Sequence, residues 1–171
     1  MQKTTPVSER KIRFALVGCG RIAQNHFSSI EKHAERCELV DVCDIDAGAL
    51  ARAVSQTGAR GHSNLTAMLE QTTADCVILT TPSGLHASQA IKVAGSGKHV
   101  MTEKPMATRW EDGLSMVDAC DKADVRLFVV KQNRRNATLQ LLKQAIDKKR
   151  FGRIYNVAIN VFWTRPQEYY D

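Results

Sequence analysis

The sequence predicts an α/β fold, a doubly wound parallel sheet with helices on both faces. Three observations carry the prediction. Short apolar runs alternate along the chain with segments of helical period. The runs are continuous in Val, Ile and Leu, as strands are when both faces are covered. The first run also stops at a glycine turn that opens at once into a helical pattern, and strand–helix alternation of this kind builds a parallel sheet.

In chain order, the first strand is predicted at 12–17 (I-R-F-A-L-V) and ends in Gly18-Cys19-Gly20-Arg21-Ile22-Ala23, a G-x-G-x-x-A. The helix that follows, at 21–33, sets Ile22, Phe27 and Ile30 on one side and Gln24, Ser28 and Glu31 on the other. Further strands are predicted at 38–43, 76–80, 99–102 and 125–130, with a weaker one at 60–62. Helices are predicted at 47–56, 65–71, 85–94, 111–123 and 137–148. Thr108-Arg109-Trp110-Glu111 has the form of a capping box for the 111–123 helix.

The last run is different. From Tyr155 to Trp163 the odd positions are Tyr, Val, Ile, Val and Trp, a period of two that marks a half-buried, antiparallel strand. The expected organisation is therefore a disordered lead-in at 1–10, a dinucleotide-binding domain at 11–131, and at 132–171 a connecting helix with the first strand of a truncated α+β domain.

Composition narrows the function. The 171 residues are 43% hydrophobic and 25% charged, as in soluble globular proteins. No apolar run approaches the ~18 residues a membrane span needs, and the polar start is no secretory signal. Five cysteines without C-x-x-C spacing suggest neither a disulfide scaffold nor a zinc site, so no metal is expected and a reducing cytoplasm fits. The net charge of +6 gathers late, at Arg134, Arg135, Lys143, Lys148, Lys149, Arg150 and Arg153. No aromatic-interleaved basic motif accompanies it, so it reads as a solvated helix face, or as a site for anionic ligands, rather than a nucleic-acid site.

The chemistry gathers at the ends of the strands. Gly18 permits a tight turn, Gly20 lets backbone approach a pyrophosphate, and Ala23 allows close packing of helix on strand. The anion then rests on the N–H groups of the helix N-terminus. Asp44 closes the second strand 24 residues after Gly20, close to the spacing expected of the acid that accepts bonds from the adenosine ribose. Ile45 follows it rather than a basic residue, which favours NAD; Arg21 and Arg52 leave NADP open. Asp46 reads as a helix N-cap. The turn Thr80-Thr81-Pro82-Ser83-Gly84-Leu85-His86 leaves the fourth strand toward the same crevice, with His86 either structural or at the site. His26, His33, His62 and His99 have no partner at ligand spacing and read as structural. Glu103-Lys104-Pro105 leaves the fifth strand at the same edge, and a lysine there can accept a proton from an alcohol or hold it in position.

G-C-G-R-I-A, Asp44, T-P-S-G-L-H-A and G-K-H-V-M-T-E-K-P-M-A, in this order, resemble the Gfo/Idh/MocA oxidoreductases over about residues 11–165. With Lys131-Gln132-Asn133-Arg134 and Trp163-Thr164-Arg165-Pro166, the likeness points to the branch that oxidises UDP-N-acetylglucosaminuronate at C3 for lipopolysaccharide O-antigen synthesis. The resemblance implies a Rossmann domain with NAD as cofactor, a second domain for substrate and oligomer contacts, and hydride transfer from a sugar hydroxyl carbon. Gly18, Gly20, Arg21 and Ile22 would hold the pyrophosphate and Asp44 the ribose. Thr81, Ser83 and His86 would line the nicotinamide half, with Asn133 on the same side. Glu103 and Lys104 would flank the nicotinamide ribose and the reacting carbon, Lys104 as catalytic residue, with a cis Lys104–Pro105 bond. Trp163 and Arg165 would meet cofactor or substrate. A downstream histidine that completes proton transfer in relatives would lie beyond Asp171. Also implied are a small-molecule partner (a UDP-sugar), no nucleic acid or membrane partner, and a homo-oligomer at full length. A noncatalytic NAD-binding module, or a dehydrogenase for another sugar or inositol, are the alternatives.

Overall fold

The structure, a computed structural model, describes residues 9–169. Residues 1–8 of the expected lead-in lie outside the described residues. Arg10 pairs in bidentate fashion with Asp75, at 2.7 Å from each carboxylate oxygen.

Six parallel strands form one sheet: β1 Ile12–Val17, β2 Cys37–Cys43, β3 Arg60–His62, β4 Cys76–Leu79, β5 His99–Thr102 and β6 Leu127–Val129. Their order is β3-β2-β1-β4-β5-β6. The chain winds outward from β1 to β3, returns to the centre at β4, and winds outward the other way. The crevice where the direction reverses, between the carboxyl ends of β1 and β4, is where such sheets bind ligands. The helices are α1 Ala23–Lys32, α2 Ala47–Thr57, α3 Leu65–Gln71, α4 His86–Gly95, α5 Trp110–Lys122 and α6 Ala137–Asp147.

Alternate residues of each central strand supply opposite faces. Leu16, Val42 and Ile78 pack with Ala23 and Phe27 of α1 and Ala53 of α2. Ala15, Val17, Val77 and Leu79 pack with Met68 of α3, Val93 of α4 and Met116 of α5. Burial on both faces is why these strands read as continuous apolar runs. The exception is Asp41, fully buried in β2, which accepts from Arg60 Nε (2.7 Å), His62 Nε2 (2.8 Å) and Thr72 Oγ1 (2.6 Å). Burial pushes its carboxyl up, but the hydrogen bonds from Arg60, Thr72 and His62 outweigh that and hold it below the usual carboxylate range. The cluster fastens the short β3 to β2.

Helix starts follow their caps. Asp46 accepts from Ala49 N (2.6 Å) at the head of α2, and Asn64 caps α3 through Thr66 N and Ala67 N. The expected capping box at Thr108 does not form. The α5 helix begins at Trp110 with Arg109 as its N-cap and no side-chain cap bond. Glu111 is thus the second helical residue, one short of the position a box requires.

The chain divides after Lys131 into two units. In the second, Asn136 caps α6 through Thr138 N (3.0 Å) and Leu139 N (3.4 Å). The strand expected at 155–163 is absent; those residues are exposed and without regular secondary structure. A strand exists through its ladder, and these residues have no pairing strand among the described residues.

Candidate active site

The loop after β1 is held at its backbone atoms. Gly18 has φ +93°, and its N–H donates to Cys43 O at 2.8 Å. Across the crevice Thr80 N donates to Val17 O (2.9 Å), and Thr80 Oγ1 reaches Val17 O (2.9 Å) and Gly18 O (2.6 Å). A Cβ on Gly18 would meet Thr81 N at 2.8 Å and Thr80 C and O at 2.9 Å. Gly20 is the opposite case. A Cβ there meets no atom within 4 Å, so no protein contact demands a glycine and open space lies before its backbone. That is the fit a pyrophosphate needs at the head of α1.

Asp44 is wired to this loop. Its Oδ2 accepts from Cys19 N at 2.6 Å and its Oδ1 from Asp46 N at 2.9 Å. Each oxygen keeps capacity to accept a further bond. The Cys19 thiol is buried, and burial, then the Asp44 charge and Cys43, push it up to about 12. It is inert at neutral pH. Gly18, Gly20, Asp44, Ile45, Thr81, Leu85 and Gln89 line, with Val17, Cys43, Leu65, Thr80 and Pro82, a cavity of about 280 Å³ at the switch point. Ile45 stands almost fully exposed beside it, at 93%.

The other sequence-predicted residues divide. Arg21 and Ile22 are exposed at the head of α1, and Ser83 opens a short 3-10 turn, Ser83–Leu85. His86 is 1% exposed and offers no ring nitrogen to a ligand. Its Nδ1 lies 2.9 Å from Pro105 O and its Nε2 2.9 Å from Thr81 O, so it ties the loops after β4 and β5 together. Of the two readings the sequence left open for His86, structural or at the site, these contacts are structural ones. The Lys104–Pro105 bond is cis, as the resemblance implies, and Lys104 is exposed. Asn133, Trp163 and Arg165 belong to the second unit, where the Arg165 guanidinium sits 4.8 Å from the centre of the Trp163 ring.

Two residues escaped the sequence reading. Gln89 Oε1 accepts from Thr81 Oγ1 at 2.6 Å on the cavity wall. His26, read as partnerless, places Nε2 2.9 Å from Glu103 Oε1. Its position one turn into α1 was a signal that it faces the sheet edge, but nothing local points to Glu103, 77 residues away. Among the described residues no three His, Cys, Asp or Glu side chains gather as metal ligands, and no helix is long and apolar enough to cross a membrane.

Residues 12–131 match the family described as Gfo/Idh/MocA, an oxidoreductase family with an NAD-binding Rossmann fold. The chain belongs to that family. Among solved Gfo/Idh/MocA structures, the WlbA dehydrogenase from Chromobacterium violaceum, in complex with NADH and UDP-GlcNAcA, is 72% identical, with a TM-score of 0.96 over 99% of this chain and 49% of that one. The WlbA dehydrogenase from Bordetella pertussis, in complex with the same two ligands, is 65% identical, with a TM-score of 0.94 over 96% of this chain and 48% of that one. Inositol 2-dehydrogenase 3 from Saccharopolyspora erythraea is 31% identical over 82% of this chain and 42% of its own length. The chain thus spans about half the length of these relatives.

Proposed function

We propose that this chain is the cofactor-binding part of an NAD-dependent dehydrogenase that oxidises C3 of UDP-N-acetylglucosaminuronate. The observation that carries the reading is the crevice itself: an open approach at Gly20, an anchored Asp44 and an exposed Lys104 all stand at the carboxyl edge of one sheet. The 72% and 65% identity to dehydrogenases held with NADH and UDP-GlcNAcA supports the substrate.

In this reading Gly18 and Gly20 bring backbone to the pyrophosphate, and Arg21 and Ile22 flank it at the head of α1. The Asp44 carboxylate accepts from both adenosine ribose hydroxyls, and Ile45 and Leu85 flank the same cavity with apolar surface. A 2′-phosphate on that ribose would meet the Asp44 charge, which selects NAD over NADP. Thr81 and Ser83 border the nicotinamide half, and His86 acts there as a strut. NAD supplies the hydride acceptor. Lys104 meets the substrate hydroxyl and holds or takes its proton. The net charge of +6 favours approach of a triply anionic sugar nucleotide, with two phosphate charges and a carboxylate. Five free thiols suit a reducing cytoplasm, and the full-length protein assembles as a homo-oligomer.

The test is to mix the full-length enzyme with NAD and UDP-N-acetylglucosaminuronate and follow NADH absorbance and the sugar's NMR spectrum. Formation of NADH with loss of the C3 proton signal is expected. NADH formed from inositol but not from the sugar nucleotide would overturn the substrate assignment.

A further inference from the structure

Lys104 is exposed, so its place depends on what holds its two neighbours. On one side Pro105 is tied to the head of α4, because its carbonyl oxygen lies 2.9 Å from His86 Nδ1. On the other side Glu103 is buried, at 8% exposure, at the end of β5. Its backbone N–H donates to Leu79 O at 3.0 Å.

The Glu103 carboxylate cannot be left without donors at that depth, since an unsatisfied buried charge costs far more than a lost surface contact. Two donors reach it among the described residues. His26 Nε2 lies 2.9 Å from Oε1, and Lys104 N lies 3.2 Å from Oε2. A carboxylate oxygen accepts only, so Nε2 carries the hydrogen. The His26 side chain is itself 13% exposed and the Glu103 side chain 11%, so little water competes for the contact. His26 stands on α1, whose head is formed by the glycine loop. The carboxylate therefore joins the helix at the cofactor crevice to the backbone of Lys104.

We propose that His26 is a positioning residue for Lys104, acting through Glu103. Removing the ring donor leaves the carboxylate with one long bond from its own neighbour. The carboxylate then turns toward water and carries the Lys104 backbone with it. His26 touches neither substrate nor the reacting carbon.

The inference rests on the assignment of Lys104 as the catalytic lysine, and its test has one readout that needs no substrate. In the full-length protein, His26→Leu removes the donor, and His26→Gln keeps an N–H near the place of Nε2. Three quantities are compared: the Lys104 amide NMR resonance, NADH affinity, and kcat with the sugar nucleotide. His26→Leu is expected to move the Lys104 amide resonance and lower kcat about 10- to 100-fold, the scale of an ångström misplacement. NADH affinity stays near wild type, and His26→Gln restores both changed quantities. If His26→Leu does not fold, His26→Asn, whose amide is too short to reach Oε1, replaces it in the same comparison. An unmoved Lys104 amide with undiminished kcat overturns the proposal. So does an equal loss in the Leu and Gln variants together with lost NADH affinity, which marks a merely structural histidine. If the wild type does not turn over the sugar nucleotide, the substrate reading fails, while the amide resonance still decides the role of His26.

Discussion

The loop after β1 and the loop after β5 reach the same edge of the sheet, yet they are held by different means. The first is gripped at its own backbone by its immediate neighbours in the crevice: the Gly18 N–H on Cys43 O, the Thr80 hydroxyl on the Gly18 carbonyl, Cys19 N on the Asp44 carboxylate. The second is fixed through two imidazoles from other elements, His26 on Glu103 and His86 on the Pro105 carbonyl. A loop gripped at its own backbone tolerates change of its own side chains wherever no Cβ clashes. A loop held through side chains is only as well placed as its distant partners. Cofactor binding and chemistry should therefore separate under mutation.

The largest effect is expected at the second loop. Lys104→Met in the full-length enzyme should lower kcat by about 10²- to 10⁴-fold, the range of a lost acid–base group, with NADH affinity nearly unchanged by calorimetry. Wild-type turnover would remove Lys104 from the chemistry.

Gly18→Ala comes next and acts on the fold. The new methyl would crowd the Thr80–Thr81 backbone at 2.8–2.9 Å at a residue with φ +93°. Strained backbone costs about 1–3 kcal/mol, and overpacking about as much again. A clear drop in melting temperature is expected, with or without cofactor.

Gly20→Ala sharpens the contrast, because it meets no protein atom. Its melting temperature should match wild type while NADH affinity falls about 10-fold or more, the effect of a methyl in the path of the pyrophosphate. Equal stability with equal affinity would show that no ligand approaches there.

The smallest effect belongs to the far edge of the sheet. Hydrogen bonding from Arg10, with the Arg13 amide and the charges of both arginines, overcomes partial burial and holds the Asp75 carboxyl at about 2. That lies below the ordinary value near 3.9 of an unfolded chain. Its contribution is therefore full above about pH 4 and is lost as pH falls toward 2. Asp75→Asn should flatten the fall in melting temperature across that window and leave NADH binding at neutral pH alone. Arg10 is half exposed, so the change is modest.

The same contrast explains what could be read from the chain. The alternation of strands and helices follows from local signals: covered strands are continuous apolar runs, and G-x-G-x-x-A marks the turn from the first strand into its helix. Gly18, Gly20 and Asp44 were legible because turn, approach and ribose acid are fixed by spacing along one strand–helix–strand unit. The role of His26 was not, because its partner Glu103 lies just past β5 and no sequence period links the two. His86 was found as a residue with its role left open, since only the fold brings Pro105 and Thr81 to its two nitrogens. The run at 155–163 shows the converse: its alternation is plain, but a strand needs a neighbour to pair with.

The central claim is that Asp44, anchored on the glycine loop, selects NAD, and parallel calorimetric titrations of the protein with NADH and NADPH test it most directly. NADH should bind at least about 10-fold more tightly, the 1.4 kcal/mol or more expected when a carboxylate trades ribose hydrogen bonds for phosphate repulsion, and Asp44→Asn should narrow the gap. Equal or tighter binding of NADPH would contradict the account.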